Sequence, residues 1–457
     1  MKSSRVFDDS LVVRLGEIVG RHQVIVAPEV VSRYETDWTG RFSGRSLCVV
    51  RPGNVDQVVQ VIRECAARKI PIVPQGGATG LVGGSVPRAT GPYPVVLSTR
   101  RLKWISEVDK ISAQVTAAAG VTLAELHKHV RKSGLEYGVD FSSRESATVG
   151  GTVATNAGGV HVVAYGMTRD QVLGAEAVLP NGSIVSRLSG LVKDNTGYNL
   201  AGLLTGSEGT LGVITAARLR LRPAPRSIVT VMASMNSIQA CVEILPVLGE
   251  CAGLRTVELM LASGLSAVCQ TFRLPAPPIS DAPAYLLVDV AVRNEEETLE
   301  LLQDVFDSSR GVVDTAIGIE PPDRRRLWLY RDMHTEAVSR LGVPHKMDVA
   351  VPIAEVDGFL MRLASVTRPY RTLVWGHIGE GSLHVNVIGP DSKDDVVDKA
   401  VLALAVEHGG TISAEHGIGI AKAHLLHLSR TADEIYAMRA IKSAIDPLNL
   451  MNPGVLF

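Results

Sequence analysis

The side chains best suited to chemistry lie late in the chain, in Trp375-Gly-His377-Ile-Gly-Glu-Gly-Ser-Leu-His384-Val-Asn386, then Ala414-Glu415-His416-Gly417, then Asn452-Pro453-Gly454. Two imidazoles and a carboxylate are a common ligand set for a divalent ion that keeps one coordination position open. Here a third imidazole directly follows the carboxylate. His384 and Asn386 stand two apart on a strand and so share a face. The Gly379-Glu-Gly381 turn can fold His377 back beside His384, and glycine next to Glu415-His416 leaves the backbone free to aim both side chains. Upstream, Arg324 to Thr335 reads as a helix that sets Arg331 and Thr335 one turn apart on one face. Lys346 begins a strand that runs on to Val351.

The first half of the chain supplies glycine instead. Pro74-Gln-Gly76-Gly77-Ala78-Thr79-Gly80-Leu81-Val-Gly83-Gly84-Ser85 directly follows a strand. Closely spaced glycines let successive backbone N–H groups converge on an anion, a nest suited to phosphate oxygens. A second cluster runs Ser146-Ala-Thr148-Val-Gly150-Gly151-Thr-Val-Ala-Thr-Asn156-Ala157-Gly158-Gly159, and a third runs Leu204-Thr-Gly206-Ser-Glu208-Gly209-Thr-Leu-Gly212-Val-Ile214. Neither G-x-G-x-x-G nor G-x-x-x-x-G-K-[ST] occurs, which excludes the Rossmann fingerprint and the P-loop. One such cluster could simply build a hairpin, but three, each mixing Gly with Thr, Ser or Asn, point to a large anionic cofactor wrapped by backbone. A phosphate-bearing cofactor and an open metal position together suggest a redox enzyme.

These groups need elements to hold them. Leu47 to Arg51 and Ile70 to Pro74 read as strands around an amphipathic helix, Asn54 to Lys69, capped by Asn54 and apolar at Val58, Val61, Ile62 and Cys65. Ala113 to Ala118 leads into a helix opened by the capping box Thr122-Leu-Ala-Glu125 and closed by Gly134. His127 and His129 are expected on a solvated face of that helix. Ala175 to Val185 reads as a hairpin with an Asn181-Gly182 turn. Arg222-Pro223-Ala224-Pro225-Arg226 is the best boundary, since its prolines stop the preceding strand. Beyond it strands and helices alternate at longer spacing, which predicts an α+β domain with a mostly antiparallel sheet.

The three clusters resemble the FAD-binding domain of the vanillyl-alcohol oxidase (PCMH-type) superfamily, and the resemblance continues through the C-terminal half in the right order. Within that superfamily the chain is most similar to the metal-dependent D-2-hydroxyacid dehydrogenases, the group of D-lactate and D-2-hydroxyglutarate dehydrogenases and the FAD subunit of glycolate oxidase. The resemblance implies an α+β fold: a PCMH-type FAD-binding domain over residues 1–222, a substrate or cap domain over 223–413, and a C-terminal segment, 414–457, returning to the FAD domain. It implies that Gly76, Gly77, Ala78, Thr79, Gly80, Leu81 and Ser85 hold the FAD pyrophosphate. Thr148, Gly151, Asn156, Ala157 and Gly158 would line the pyrophosphate and ring end. Glu208, Gly212 and Ile214 would lie on the ribose and adenine side, with Asn452 coming back toward the flavin. Covalently flavinylated relatives carry His where this chain has Ala78, so FAD is expected to be non-covalent.

By the same resemblance His377, His384 and Glu415 bind Zn2+ or Mn2+, Asn386 supports the site, and His416 is the catalytic base. Arg331, Thr335 and Lys346 would surround the substrate's carboxylate groups. Oxidising a 2-hydroxyacid removes the hydroxyl proton and transfers hydride from C2 to flavin N5. Metal coordination can lower a bound water's pKa from about 15.7 to about 7, and a comparable effect would activate the alcohol. Relatives usually read Gly-Asp-Gly-Asn-Leu-His where this chain has Gly379-Glu380-Gly381-Ser382-Leu383-His384. That difference bears on the hydrogen bonds around the ligands. The alternative reading is a non-catalytic FAD-binding subunit of a larger complex, which would need the glycine clusters but not the histidines. A flavin enzyme with no net redox, resembling alkyl-glycerone-phosphate synthase, is a third, but that family lacks the metal motif.

Composition narrows the remaining classes. With 46 Lys and Arg against 47 Asp and Glu the net charge is -1, and no basic block argues for nucleic acid. The five cysteines form no CxxC pair and are expected as buried thiols, so an iron–sulfur partner would have to be separate. The N-terminus lacks an apolar leader-like run, and no apolar run reaches the roughly 18 residues of a membrane span. A cytoplasmic homo-oligomer, peripheral to a membrane at most, passing electrons to a quinone or an electron-transfer flavoprotein, is expected.

Overall fold

The structure, a computed structural model, describes residues 9–391 and 394–457, so the opening residues read above for a leader lie outside it. The chain divides into two compact units. One comprises the residues up to Gly159 together with Gly166–Ala224 and Glu415–Phe457; the other comprises Val160–Tyr165 and Pro225–Ala414.

In the first unit, β1 (Val24–Ile25), β2 (Cys48–Val50), β3 (Ile72–Gln75) and β4 (Val95–Ser98) form a sheet in the order β1-β2-β4-β3. The β2–β4 and β3–β4 pairs are parallel. A parallel sheet needs a crossover, and the helix Val55–Ala67 supplies it between β2 and β3. Asn54 caps that helix by accepting the Gln57 N–H, and Val58, Val61, Ile62 and Cys65 are buried as their spacing implied. A second sheet of β5 (Gln114–Ala118), β6 (Leu135–Tyr137), β7 (Val172–Val178), β8 (Ile184–Ser186) and β9 (Val213–Pro223) runs β5-β9-β7-β8, with β6 also pairing with β9. The Thr122/Glu125 capping box opens the helix Leu123–Arg131.

Two local expectations are corrected. His127 is not on a solvated face: it is buried with Leu123, Leu126 and Val130, and its Nε2 lies 3.1 Å from the Val139 carbonyl oxygen. Four residues from Leu123, it falls on the apolar stripe. The β7–β8 hairpin is present, but its turn is the longer Pro180-Asn181-Gly182 loop, closed by the Leu179 N–H donating to the Ser183 carbonyl. Only Gly182, at φ +77, enters the left-handed region, as a type I turn followed by a bulge requires. The five cysteines are free; four are buried, and burial pushes the Cys48 thiol up to about 12.

The second unit is one seven-stranded sheet of β10 (Ser227–Met235), β11 (Leu254–Leu261), β12 (Ala284–Val292), β13 (Val312–Gly318), β14 (Pro344–Ala350), β15 (Arg371–Gly376) and β16 (Ser382–Ile388). Its order is β13-β10-β12-β11-β15-β16-β14, and every neighbouring pair is antiparallel. The mostly antiparallel α+β expectation therefore holds. The helices Ala262–Phe272, Pro321–Asp332 and His334–Leu341 bury Leu265, Leu327, Tyr330 and Val338 against Met232, Met260, Leu287, Leu373 and Trp375 of the sheet. Among the described residues no helix is long and apolar enough to cross a membrane.

Candidate active site

Strand register builds the site in the second unit. Along β14 and β16, Lys346 pairs with Asn386 and Asp348 with His384. Next door Trp375 of β15 pairs with His384, and Met260 of β11 pairs with Trp375. Because side chains alternate along a strand, Lys346, Asp348, His384, Asn386, Trp375, Met260 and Glu258 all project from one face. After β15 the chain makes a single 3-10 turn, Ile378–Glu380, and reverses at Gly381, φ +70. A Cβ at Gly381 would meet the Val351 carbonyl oxygen at 2.1 Å, so only glycine fits this reversal. The turn brings the His377 and His384 rings to 5.3 Å between centroids at 83°, with one nitrogen of each within 4.8 Å of the other.

Behind each imidazole sits a carboxylate with 1% exposure. The His377 Nδ1–H donates to Glu258 Oε1 at 2.5 Å, and the Arg331 Nε–H donates to Glu258 Oε2 at 2.6 Å. The Asp348 Oδ1 lies 3.5 Å from His384 Nδ1. Burial would raise the Glu258 carboxyl, but the Arg331 guanidinium and the His377 ring outweigh it and hold the group well below the usual carboxylate range. With Nδ1 as donor, the lone pair of His377 is on Nε2, the form a metal ligand needs. Sequence reasoning missed Glu258 and Asp348. Their signal was a carboxylate in an apolar strand, Val257-Glu258-Leu259 and Met347-Asp348-Val349, where an unpaired charge is too costly to persist.

The other expected substrate residues are placed unequally. Lys346 is half-buried, Asn386 is buried with its amide donating to the His384 carbonyl at 3.2 Å, and the Arg331 side chain is only 11% exposed. Thr335 is exposed. It does not share a continuous helix with Arg331, because one helix ends at Asp332 and the next begins at His334. The cause is local: His334 Nδ1 lies 2.9 and 3.1 Å from the Tyr330 and Arg331 carbonyl oxygens, capping the first helix with a side chain. Trp328 serves the fold, its Nε1–H donating to both oxygens of buried Asp289 at 3.1 Å. The unit ends beside β14, where the Ala414 N–H donates to the Asp348 carbonyl at 3.3 Å.

In the first unit the three glycine clusters converge. A Cβ at Gly76 would stand 2.4 Å from Thr148 Oγ1, and one at Gly77 would stand 2.1 Å from the Ser146 carbonyl oxygen, so the first two clusters touch through bare backbone. Past them Ala78 takes φ +55, while Gly80 has open space where a Cβ would be. Thr148 caps the helix Val149–Thr155 at Gly151, and Asn156 closes it at φ +49. The Glu415 carboxylate lies against Gly158, 3.0 Å from where a Cβ would be. The Asn452 amide donates to the Gly84 carbonyl at 2.8 Å and the Glu208 carbonyl at 2.7 Å, joining the first and third clusters to the C-terminus. The Glu208 carboxylate accepts the Ile418 and Gly419 N–H groups, both at 2.8 Å, and so fixes the turn that follows Glu415 and His416.

The chemistry available is thus a backbone-rich anion cradle in one unit and a carboxylate-backed pair of imidazoles in the other. Comparison with known proteins bears on the cradle. Residues 46–187 match the FAD binding domain family, and residues 224–456 match the FAD linked oxidases, C-terminal domain family. The chain is 34% identical over 463 residues to a D-2-hydroxyglutarate dehydrogenase of Xanthomonas citri pv. viticola, covering 98% of this chain and 97% of that one. It is 32% identical over 465 residues to one of Stutzerimonas stutzeri, covering 98% and 99%. It is also 33% identical over 445 residues to the mitochondrial one of Rattus norvegicus, covering 94% and 82%. Among solved structures, 4-ethylphenol oxidase from Gulosibacter chungangensis superposes with TM-score 0.74 at 18% identity, covering 98% of this chain and 96% of that one. An alkyldihydroxyacetonephosphate synthase superposes with TM-score 0.74 at 17% identity, covering 97% and 84%. Identities that low carry the fold alone. With both halves matched and whole-length relatives above 30% identity, the chain belongs to the FAD-linked oxidase family and has the PCMH-type flavoenzyme fold.

Proposed function

We propose that this protein is an FAD- and metal-dependent D-2-hydroxyacid dehydrogenase whose preferred substrate is D-2-hydroxyglutarate. The observation that carries the proposal is the sheet face bearing His384, Asn386 and Lys346, with His377 folded beside His384 and tied through Glu258 to Arg331. The relatives' names supply the substrate class. Bound FAD supplies a hydride acceptor for C2, and a divalent ion such as Zn2+ or Mn2+ supplies the charge that acidifies the substrate hydroxyl.

The residues of the chain do the rest. His377 and His384 would hold the ion, with Glu415 as the third ligand. Ala414, immediately before it, is bonded to the strand opposite His384, which supports that role. His416 takes the hydroxyl proton, as a neutral imidazole can near pH 7. Arg331, its Nε committed to Glu258, offers its terminal nitrogens to a carboxylate in a two-pronged contact. Lys346 and Thr335 serve the second carboxylate of a diacid, and Asn386 steadies the pocket between them. The loop Gly76 to Leu81 with Ser85 holds the pyrophosphate, without a covalent bond because Ala78 offers no ring to attach. The electron acceptor would be a quinone or an electron-transfer flavoprotein.

Oxidation of D-2-hydroxyglutarate, D-lactate and glycolate, with L-isomers as controls and a dye as acceptor, tests the proposal. D-2-hydroxyglutarate is expected to give the highest kcat/KM. Turnover of none of them by flavin- and zinc-replete protein would contradict it. A non-catalytic flavin subunit is disfavoured because it has no use for two carboxylate-backed histidines held side by side.

A further inference from the structure

We infer that Glu258 is a positioning residue that couples the metal site to the substrate clamp, one carboxylate orienting His377 through Oε1 and Arg331 through Oε2. The inference rests on the roles just proposed for His377 and Arg331 and goes beyond them, to a residue whose two oxygens are taken up by those partners.

Glu258 lies on β11, near the middle of the sheet, while its two partners come from separate elements. Arg331 sits at the end of the helix Pro321–Asp332, and His377 lies just past β15. A carboxylate 1% exposed is costly in such a place unless both oxygens are satisfied. Here each oxygen serves one donor, at 2.5 and 2.6 Å. On the histidine side, the bond fixes the tautomer with hydrogen on Nδ1, so Nε2 carries the lone pair. On the arginine side, it occupies Nε and fixes the plane of the guanidinium, so the terminal nitrogens keep one orientation. A displacement of either partner is felt by the other through a single rigid group. Asp348, 3.5 Å from His384 Nδ1, gives the second imidazole a similar backing.

Glutamine separates this role from simple filling of space. Both partners are donors, and an amide offers one acceptor and one donor. Glu258→Gln must therefore either face Arg331 with an N–H or make His377 Nδ1 an acceptor, which moves the ring proton to Nε2 and blocks the metal. The expected result is zinc binding weakened 10–100-fold, measured by competition with a chromophoric chelator, and a KM for the hydroxyacid raised about tenfold, at full FAD occupancy. The visible bands of the Co2+-loaded protein are expected to change with the variant, reporting a re-aimed imidazole independently of turnover. Glu258→Asp, which keeps the charge on a shorter arm, is expected to fall between.

Wild-type zinc affinity in Glu258→Gln with FAD bound would overturn the inference. Loss of FAD and of fold in both variants alike would also overturn it, in favour of a purely structural carboxylate. Wild-type flavoprotein that takes up no zinc would refute the metal role of His377 itself, and with it this inference, before any variant is made.

Discussion

Replacing His416 by alanine removes the proposed proton acceptor while leaving His377 and His384 in place. Loss of a general base typically lowers the rate by about 10²–10⁴-fold. His416→Ala is therefore expected to lose that much kcat while retaining FAD and zinc, measured by steady-state turnover and metal analysis on one preparation. An unchanged kcat would move the base elsewhere. At this scale the sequence was informative where the groups are close together. His377 and His384 are seven apart across a glycine turn, and the turn does bring their rings together. Glu258 was illegible because its partners lie 119 and 73 residues away, and strand neighbours at that separation leave no local periodicity. The helix break before Thr335 was hidden for the opposite reason. A smooth helical pattern hides the His334 side chain that caps the helix before it.

Elements hold these groups, and two of them can be tested directly. Gly77→Ala puts a Cβ within 2.1 Å of the Ser146 carbonyl oxygen, backbone that cannot turn aside, so it is expected to separate the first two clusters and lower FAD occupancy sharply. Gly80→Ala meets no protein atom within 4 Å and is expected to leave fold stability near wild type. Equal thermal stability of the two purified variants would contradict the packing argument. The junction at His334 responds to pH. Burial, then the nearby Arg331 charge, pushes His334 down from 6.5 to about 4, so the folded protein holds it neutral. Between those values the unfolded chain binds the proton first, so stability is full above 6.5 and falls as pH drops toward 4. Moving from pH 7 to pH 5 is expected to shrink the stability advantage of wild type over His334→Gln by about 2 kcal/mol in urea unfolding. A gap independent of pH would show that His334 titrates normally. Helix starts were legible here, because capping side chains such as Asn54 and Thr122 act within three residues. The burial of His127 needed the tertiary fold.

For the molecule as a whole, the order of motifs was more legible than the assembly. Glycine clusters, a proline-rich break and a histidine motif follow one another as they do in a family whose domains match residues 46–187 and 224–456. The antiparallel sheet of the second unit was readable from alternating strands, but its order, with β11 beside β15, was not. That one adjacency creates the shared face of Glu258, Trp375 and His384, and long-range pairing of this kind is decided by the packing of the complete chain. The measurement that tests the central claim most directly is anaerobic bleaching of the flavin absorbance, near about 450 nm for an ordinary flavin. D-2-Hydroxyglutarate is expected to bleach the zinc-replete protein, the L-isomer to leave it oxidised, and chelation to abolish bleaching until zinc or manganese is restored. Bleaching that survives complete removal of the metal, or none by any D-2-hydroxyacid in the replete protein, would contradict it.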